Sequence, residues 1–302
     1  MPQFRLSERT VQQLLERIPS EHPYAGQRLD SMHSVGGGCI HPAWCLETNQ
    51  GRLFLKINTL DSAANFAAEA RGLNLLAPHV RVPGNAVTGT IDPHAFLLME
   101  WLGISSTPSN SQADETLGEQ IAKLHWQSAA AFGMDHDNFI GASPQLNAWE
   151  RSWPAFFADY RLKPQLNWAE SRGLSAATLD AGSRLIDELH LFFTDYRPVP
   201  SLIHGDLWGG NHGFLHDGTP VLFDPAVYYA DREAEIAMTE LFGGFSPRTR
   251  HAYETVWPLN AGYAQRRNLY NLYHILNHYN LFGGGYGQQA DRLIHRLLAE
   301  VS

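Results

Sequence analysis

Asp206 and Asn211 stand five residues apart in the run His204-Gly205-Asp206-Leu207-Trp208-Gly209-Gly210-Asn211. Asp224 follows thirteen residues later, at the end of the apolar run Val221-Leu222-Phe223. An aspartate that can take a hydroxyl proton, followed at this spacing by two oxygen donors for a hard cation, suits phosphoryl transfer. That reaction needs little covalent help. It needs the nucleophile in line, a metal on the phosphates, and cations where charge is shared. Taken alone, the run is equally a polar turn between two strands, with Asp206 and Asn211 as turn formers.

Three further features precede it in the order such a site needs. Gly36-Gly37-Gly38 separates two strand-like runs, and glycine there would let backbone N–H groups approach phosphate oxygens; a flexible hairpin is the alternative. Lys56 sits among apolar neighbours in Phe54-Leu55-Lys56-Ile57, as a buried cation or as an edge-strand charge. In the next helix Phe66, Ala70 and Leu73 fall on one face with Glu69 beside them. A carboxylate on a core-facing stripe requires a partner, and Lys56 is the candidate, since Arg71 points elsewhere. Such a pair would place the lysine on the α- and β-phosphates.

The elements that must carry these residues follow from periodicity. Residues 7–18 read as a helix with Ser7 as its cap. Residues 28–57 read as strands, with a hairpin at Asn49-Gln50-Gly51. A helix over 61–77 stops at Pro78, and strands follow at 85–91 and 95–101. Residues 103–116 are polar and read as a linker. Beyond them helices are expected over 117–131, 149–160, 175–195, 231–242, 248–257, 261–281 and 289–300. Short strands at 201–203 and 221–223 flank the Asp206 loop. The expected fold is α+β: a small antiparallel β-sheet lobe with one main helix over residues 1–101, and a larger, mostly helical lobe over 102–302.

Composition narrows the partners. The chain has 302 residues, 44% of them hydrophobic and 18% charged, with a net charge of −9. Without a basic cluster, neither nucleic acid nor an anionic membrane is the expected partner. The two cysteines, Cys39 and Cys45, are too few for a disulfide framework. The first residues lack the apolar core of a signal peptide, and no apolar run is long enough to span a bilayer, so a cytoplasmic location is expected. Oligomeric state is not legible. His274 and His278, four apart on a helix, lack a third ligand and read as structural. Cys39, in the glycine turn, is a candidate for a thiolate near phosphate.

The chain resembles the fructosamine kinase (ketosamine-3-kinase) family, within the wider aminoglycoside phosphotransferase and choline kinase group. The residues that carry the resemblance run over nearly the whole sequence. They include Gly36–Ile40, Phe54-Leu55-Lys56, Phe66 with Glu69, Leu98–Leu102, Gln145-Leu146-Asn147-Ala148-Trp149, Trp153–Phe157, His204–Asn211 and Asp224-Pro225-Ala226. The resemblance implies a bilobal protein-kinase-like fold with ATP and Mg²⁺ in the cleft. Glu100, Trp101 and Leu102 would form the hinge that meets adenine, Asp206 the proton acceptor, and Asn211 and Asp224 the metal ligands. The implied acceptor is the O3 hydroxyl of a ketosamine, free or on a protein lysine, giving an unstable 3-phosphate and so deglycation. Trp208, Gln145, Asn147 and Trp149 are the candidate substrate residues: amides to read hydroxyls, indole faces for C–H bonds or an amine cation. Glu235 is expected to anchor the catalytic loop. An aminoglycoside- or choline-type kinase is the alternative. A nucleotide-binding pseudokinase is disfavoured because Lys56, Asp206, Asn211 and Asp224 are all present.

Overall fold

The computed structural model describes residues 6–36, 41–108 and 110–301. The chain divides into two compact units, residues 1–113 with 212–225, and residues 114–211 with 226–302. This differs from a single cut after residue 101. The segment carrying Asp224 returns to the first unit, where Leu222 donates its backbone N–H to Arg81 O at 2.9 Å.

The first unit is built on five antiparallel strands in the order β1-β2-β3-β5-β4. They are β1 (Leu29–Val35), β2 (Ala43–Thr48), β3 (Gly51–Thr59), β4 (Val87–Ile91) and β5 (His94–Glu100). Alternation along the strands sorts the two faces. Trp44, Leu46, Leu53, Leu55, Ile57, Phe96 and Leu98 share one core with Val11, Leu14 and Leu15 of α1 (Glu8–Leu15). Ser7 caps α1, its hydroxyl accepting from Thr10 N. Each such side chain contributes about 1.5–3 kcal/mol when fully buried. Lys56 lies between Leu55 and Ile57 and therefore points to the opposite face, with Cys45 and Phe54. The helix after β3, α2 (Ala63–Leu76), buries Phe66 and Leu73. Residues 212–225 add a hairpin, β9 (His212–Phe214) with β10 (Pro220–Leu222).

The second unit is mostly helical. Its helices are α3 (Ser111–His125, whose first turn belongs to the first unit), α4 (Trp153–Phe157), α5 (Lys163–Ser171), α6 (Ala176–Glu188), α7 (Arg232–Leu241), α8 (Pro247–Val256), α9 (Tyr263–Phe282) and α10 (Tyr286–Val301). A π-helical turn, Ala158–Leu162, joins α4 to α5. Twelve residues of α9 are buried, and α5, α7 and α10 pack on it. Two small antiparallel pairs complete the unit: the hairpin β6 (Asn138–Ile140) with β7 (Ser143–Gln145), and β8 (Pro200–Ile203) with β11 (Tyr228–Asp231), which are far apart in sequence.

Several boundaries depart from the sequence reading. Helix α3 begins at Ser111, inside the expected linker, and ends at His125 rather than 131. The helix expected over 149–160 starts only at Trp153, after the Ser152 cap, and continues through the π turn into α5. The last helix begins at Tyr286 rather than 289. Residues 138–145 form a hairpin that three-residue strands are too short to announce by periodicity. No helix among the described residues is long and apolar enough to cross a membrane.

Candidate active site

In the first unit Lys56 Nζ donates to Glu69 Oε1 at 2.7 Å and also to Asp224 Oδ1. Burial disfavours the lysine's charge, but Asp224 and then Glu69 outweigh it, so its pKa is raised and it stays cationic. Glu69 is pushed up to about 7, first by burial, against the pull of Lys56, with the Asp224 charge adding to the rise. Two carboxylates thus share one ammonium. Asp224 has φ 57, a left-handed conformation open to aspartate at a cost of roughly 1–2 kcal/mol.

His41 stands beside this triad and was not singled out by its sequence context. Its Nδ1 lies 3.0 Å from Asn58 Nδ2, and its ring is 4.8 Å from that of Phe66. Burial, then the Lys56 charge, lowers its pKa to about 4, so it is neutral at ordinary pH. Of the glycine turn, Gly36 is described, and a Cβ there would meet nothing within 4 Å. Gly37, Gly38 and Cys39 lie outside the described residues.

Glu100 ends β5. Its carboxylate takes Arg81 Nη2 at 2.6 Å and Gly84 N at 2.9 Å, while its own N–H goes to Gly84 O at 3.0 Å. The Glu100 side chain therefore fixes residues 81–84 to the strand end. The Trp101 ring lies 6.1 Å from Phe54, on the face that carries Lys56. Leu102 O accepts from Ile104 N at 2.9 Å.

The second unit holds the Asp206–Asn211 loop, which leaves β8. Gly205 has φ +86, and a Cβ there would lie 2.0 Å from Ala226 O, so only glycine fits. Asn211 Nδ2 donates to Asp206 O at 2.8 Å and to Asp206 Oδ2 at 3.0 Å. Both amide protons are thereby turned onto Asp206, which leaves Asn211 Oδ1 as the oxygen to offer a cation. A carboxamide oxygen and a carboxylate fit the hard Mg²⁺ ion. Gly209 approaches the turn after α7 closely: a Cβ on it would meet Gly243 O at 2.7 Å. The Trp208 ring is half-buried, over Gly210, with an edge contact to Phe242 at 6.5 Å.

Below the loop lies a buried chain of polar groups. Glu235 accepts from His204 N at 3.1 Å, Gly205 N at 2.7 Å and His125 Nε2 at 2.9 Å. Burial would raise its pKa, but the His125 hydrogen bond and the surrounding donors bring it below the ordinary value. His125 Nδ1 lies 2.9 Å from Tyr253 Oη, which also accepts from Arg232 Nη1 at 2.9 Å. The anchoring expected of Glu235 is present. The parts played by Tyr253 and Arg232 come from α7 and α8, and no local motif announces them.

Two candidate substrate residues are placed otherwise than expected. Gln145 Nε2 donates to Asn138 Oδ1 and Ala226 O, and its Oε1 accepts from Tyr273 Oη at 2.9 Å. Asn147 Nδ2 donates to His136 O and Asn138 Oδ1, and its Oδ1 accepts from Arg161 Nη2 at 2.7 Å. Both amides are buried and their hydrogen-bonding capacity is spent inside the unit, so neither lies on a substrate surface. Arg161, itself fully buried, stacks on Tyr228 at 3.9 Å and ties this lattice together. Trp149, by contrast, is 48% exposed, with Tyr229 at 6.0 Å. Trp153 is core, its indole N–H on Tyr270 Oη at 3.1 Å. His278 Nδ1 donates to His274 O at 2.9 Å, and His274 is buried, consistent with structural roles.

A five-stranded antiparallel sheet with a lysine–glutamate pair to its helix, and a helical unit with an Asp–Asn loop, define a protein-kinase-like phosphotransferase. Comparison with known proteins is more specific. A model of the fructosamine kinase family matches residues 11–300, and the chain belongs to that family. A probable ketoamine kinase of Synechocystis is 42% identical over 274 residues, covering 90% of this chain and 91% of that protein. The chloroplastic protein-ribulosamine 3-kinase of Oryza sativa subsp. indica is 38% identical, covering 88% of this chain and 78% of that one. A crystal structure from Haemophilus somnus 129PT, assigned as a fructosamine-3-kinase, superposes with a TM-score of 0.85 at 29% identity, over 96% of this chain and 97% of the other.

Proposed function

We propose that the protein transfers the γ-phosphate of ATP to the O3 hydroxyl of a ketosamine, such as a ribulosamine, erythrulosamine or fructosamine, free or on a protein lysine. The 3-phosphate so formed is unstable, and its breakdown returns the amine, so the biological role is deglycation. Lys56, oriented by Glu69, holds the α- and β-phosphates. Backbone groups of Gly36–Gly38 cover them, and Glu100–Leu102 meets adenine. Asn211 and Asp224 hold magnesium, which neutralises charge on the phosphates when bound. Asp206 accepts the O3 proton. Trp208 and Trp149 offer indole faces to the sugar and its cationic amine.

The observation that carries the reading is the pairing of Asn211 Nδ2 with Asp206 Oδ2 at 3.0 Å. It fixes the carboxylate in one rotamer beside an amide oxygen suited to a cation. The family and the named relatives support the ketosamine as acceptor.

The test is ATP consumption on a panel of ribulose-lysine, fructose-lysine, an aminoglycoside and choline, with the product position read from phosphorus–proton coupling. Coupling to the C3 proton is expected. Turnover of choline or the aminoglycoside without turnover of either ketosamine would refute the proposal.

A further inference from the structure

His33, Cys45 and Glu47 converge on the sheet face that carries Lys56. His33 on β1 pairs directly with Cys45 on β2, and Glu47 is two residues further along β2, so the three side chains share one face. One ligand atom from each lies within 4.8 Å of the other two. Neither the His33 imidazole nor the Cys45 thiol has a hydrogen-bond partner among the described residues. Glu47 Oε1 takes Arg52 Nε at 2.7 Å, an exposed ion pair of small strength that leaves the second carboxylate oxygen.

We propose that this cluster is a binding site for a borderline-soft divalent cation of the Zn²⁺ type, held by His33, Cys45 and Glu47 with water in the fourth position. Zinc bonds of about 2.0–2.3 Å require donor atoms roughly 3.3–3.6 Å apart in a tetrahedron. Closing the present spacing takes about 1 Å, within reach of a rotation of the exposed His33 side chain. On binding, the thiol releases its proton to solvent and the sulfur donates as thiolate. The donor set separates this site from the one for magnesium, because a thiolate and an imidazole discriminate against hard cations. A bound ion would join β1, the edge strand, to β2 and so stiffen that edge.

Titration of the whole protein with Co²⁺, in magnesium-free buffer, reads the site through the thiolate-to-cobalt band in the near ultraviolet. One equivalent is expected to bind in the unaltered protein and in Cys39→Ser, with Zn²⁺ displacing it. Cys45→Ser is expected to lose the band, and His33→Asn to weaken binding ~tenfold or more, at least what loss of an outer partner does. His33 is exposed, so its variant remains informative even where Cys45→Ser fails to fold. The absence of a band, a band that persists in Cys45→Ser, or unchanged affinity in His33→Asn would each overturn the proposal. Because no phosphoryl transfer is measured, the outcome is independent of the substrate.

Discussion

Glu235 Oε2 accepts the backbone N–H of Gly205 at 2.7 Å, one residue before Asp206. Its other oxygen accepts from His204 N and His125 Nε2. One buried carboxylate of α7 therefore fixes two consecutive amides at the root of the Asp206–Asn211 loop.

Removing that carboxylate strands two buried N–H groups and His125. Each unsatisfied buried group costs about 1–3 kcal/mol. Glu235→Ala is expected to lower the urea midpoint and reduce kcat more than KM. Glu235→Gln, which retains one of the two acceptor oxygens, should lose less. Equal loss in both variants would show that one remaining acceptor oxygen does not hold the loop.

Asp206→Asn is nearly isosteric but removes the carboxylate proposed as the proton acceptor. Turnover is expected to fall by roughly 10² or more, with nucleotide affinity changed only a few fold. Single-turnover assays and a fluorescent nucleotide analogue separate the two quantities. Near-normal turnover would remove Asp206 from the base role.

Gly205→Ala tests the backbone directly. A Cβ 2.0 Å from Ala226 O, at a φ of +86, combines a left-handed penalty with a backbone clash. About 3 kcal/mol or more of lost stability is expected. A variant within 1 kcal/mol of the parent by urea unfolding would show that the loop relaxes freely.

Lys56→Met leaves Glu69 buried beside Asp224 with no cation. Glu69 already stands near 7 against an ordinary 4.5, and losing Lys56 raises it further. A carboxyl raised on folding contributes stability that is full below its unfolded pKa and lost as pH rises through the folded value. The stability gap between Lys56→Met and the parent should therefore widen from pH 5 to pH 8, read by urea melts.

His274 works in the opposite direction. Burial, then the neighbouring His278 and Arg161, lowers its pKa from 6.5 to about 3. A histidine depressed on folding contributes stability present above 6.5 and lost as pH falls toward 3. The slope approaches about 1.4 kcal/mol per pH unit across that window. His274→Gln should flatten the acid limb of the stability curve, and an unchanged limb would exclude the group.

The sequence carried the local arguments well. Alternation in β3 put Lys56 on the face opposite Leu55 and Ile57, and helical spacing put Glu69 beside Phe66; their 2.7 Å contact follows from those two periods. The Asp206–Asn211 spacing likewise became a real hydrogen bond, because five residues are few enough for one turn to bring the two side chains together.

What spacing could not reach was the identity of distant partners. Gln145 and Asn147 read as amides for a sugar, yet Tyr273, Ala226 and Arg161 consume them, and an amide's chemistry is the same toward a ligand hydroxyl as toward a protein one. Lys56 meets its second carboxylate 168 residues away, in a segment that periodicity had assigned to the other lobe. The sequence by itself determined which residue types stand ready for phosphoryl transfer and on which element each sits. Only the tertiary structure decided which of them remain available, because burial and hydrogen-bond satisfaction depend on chain segments far apart in sequence.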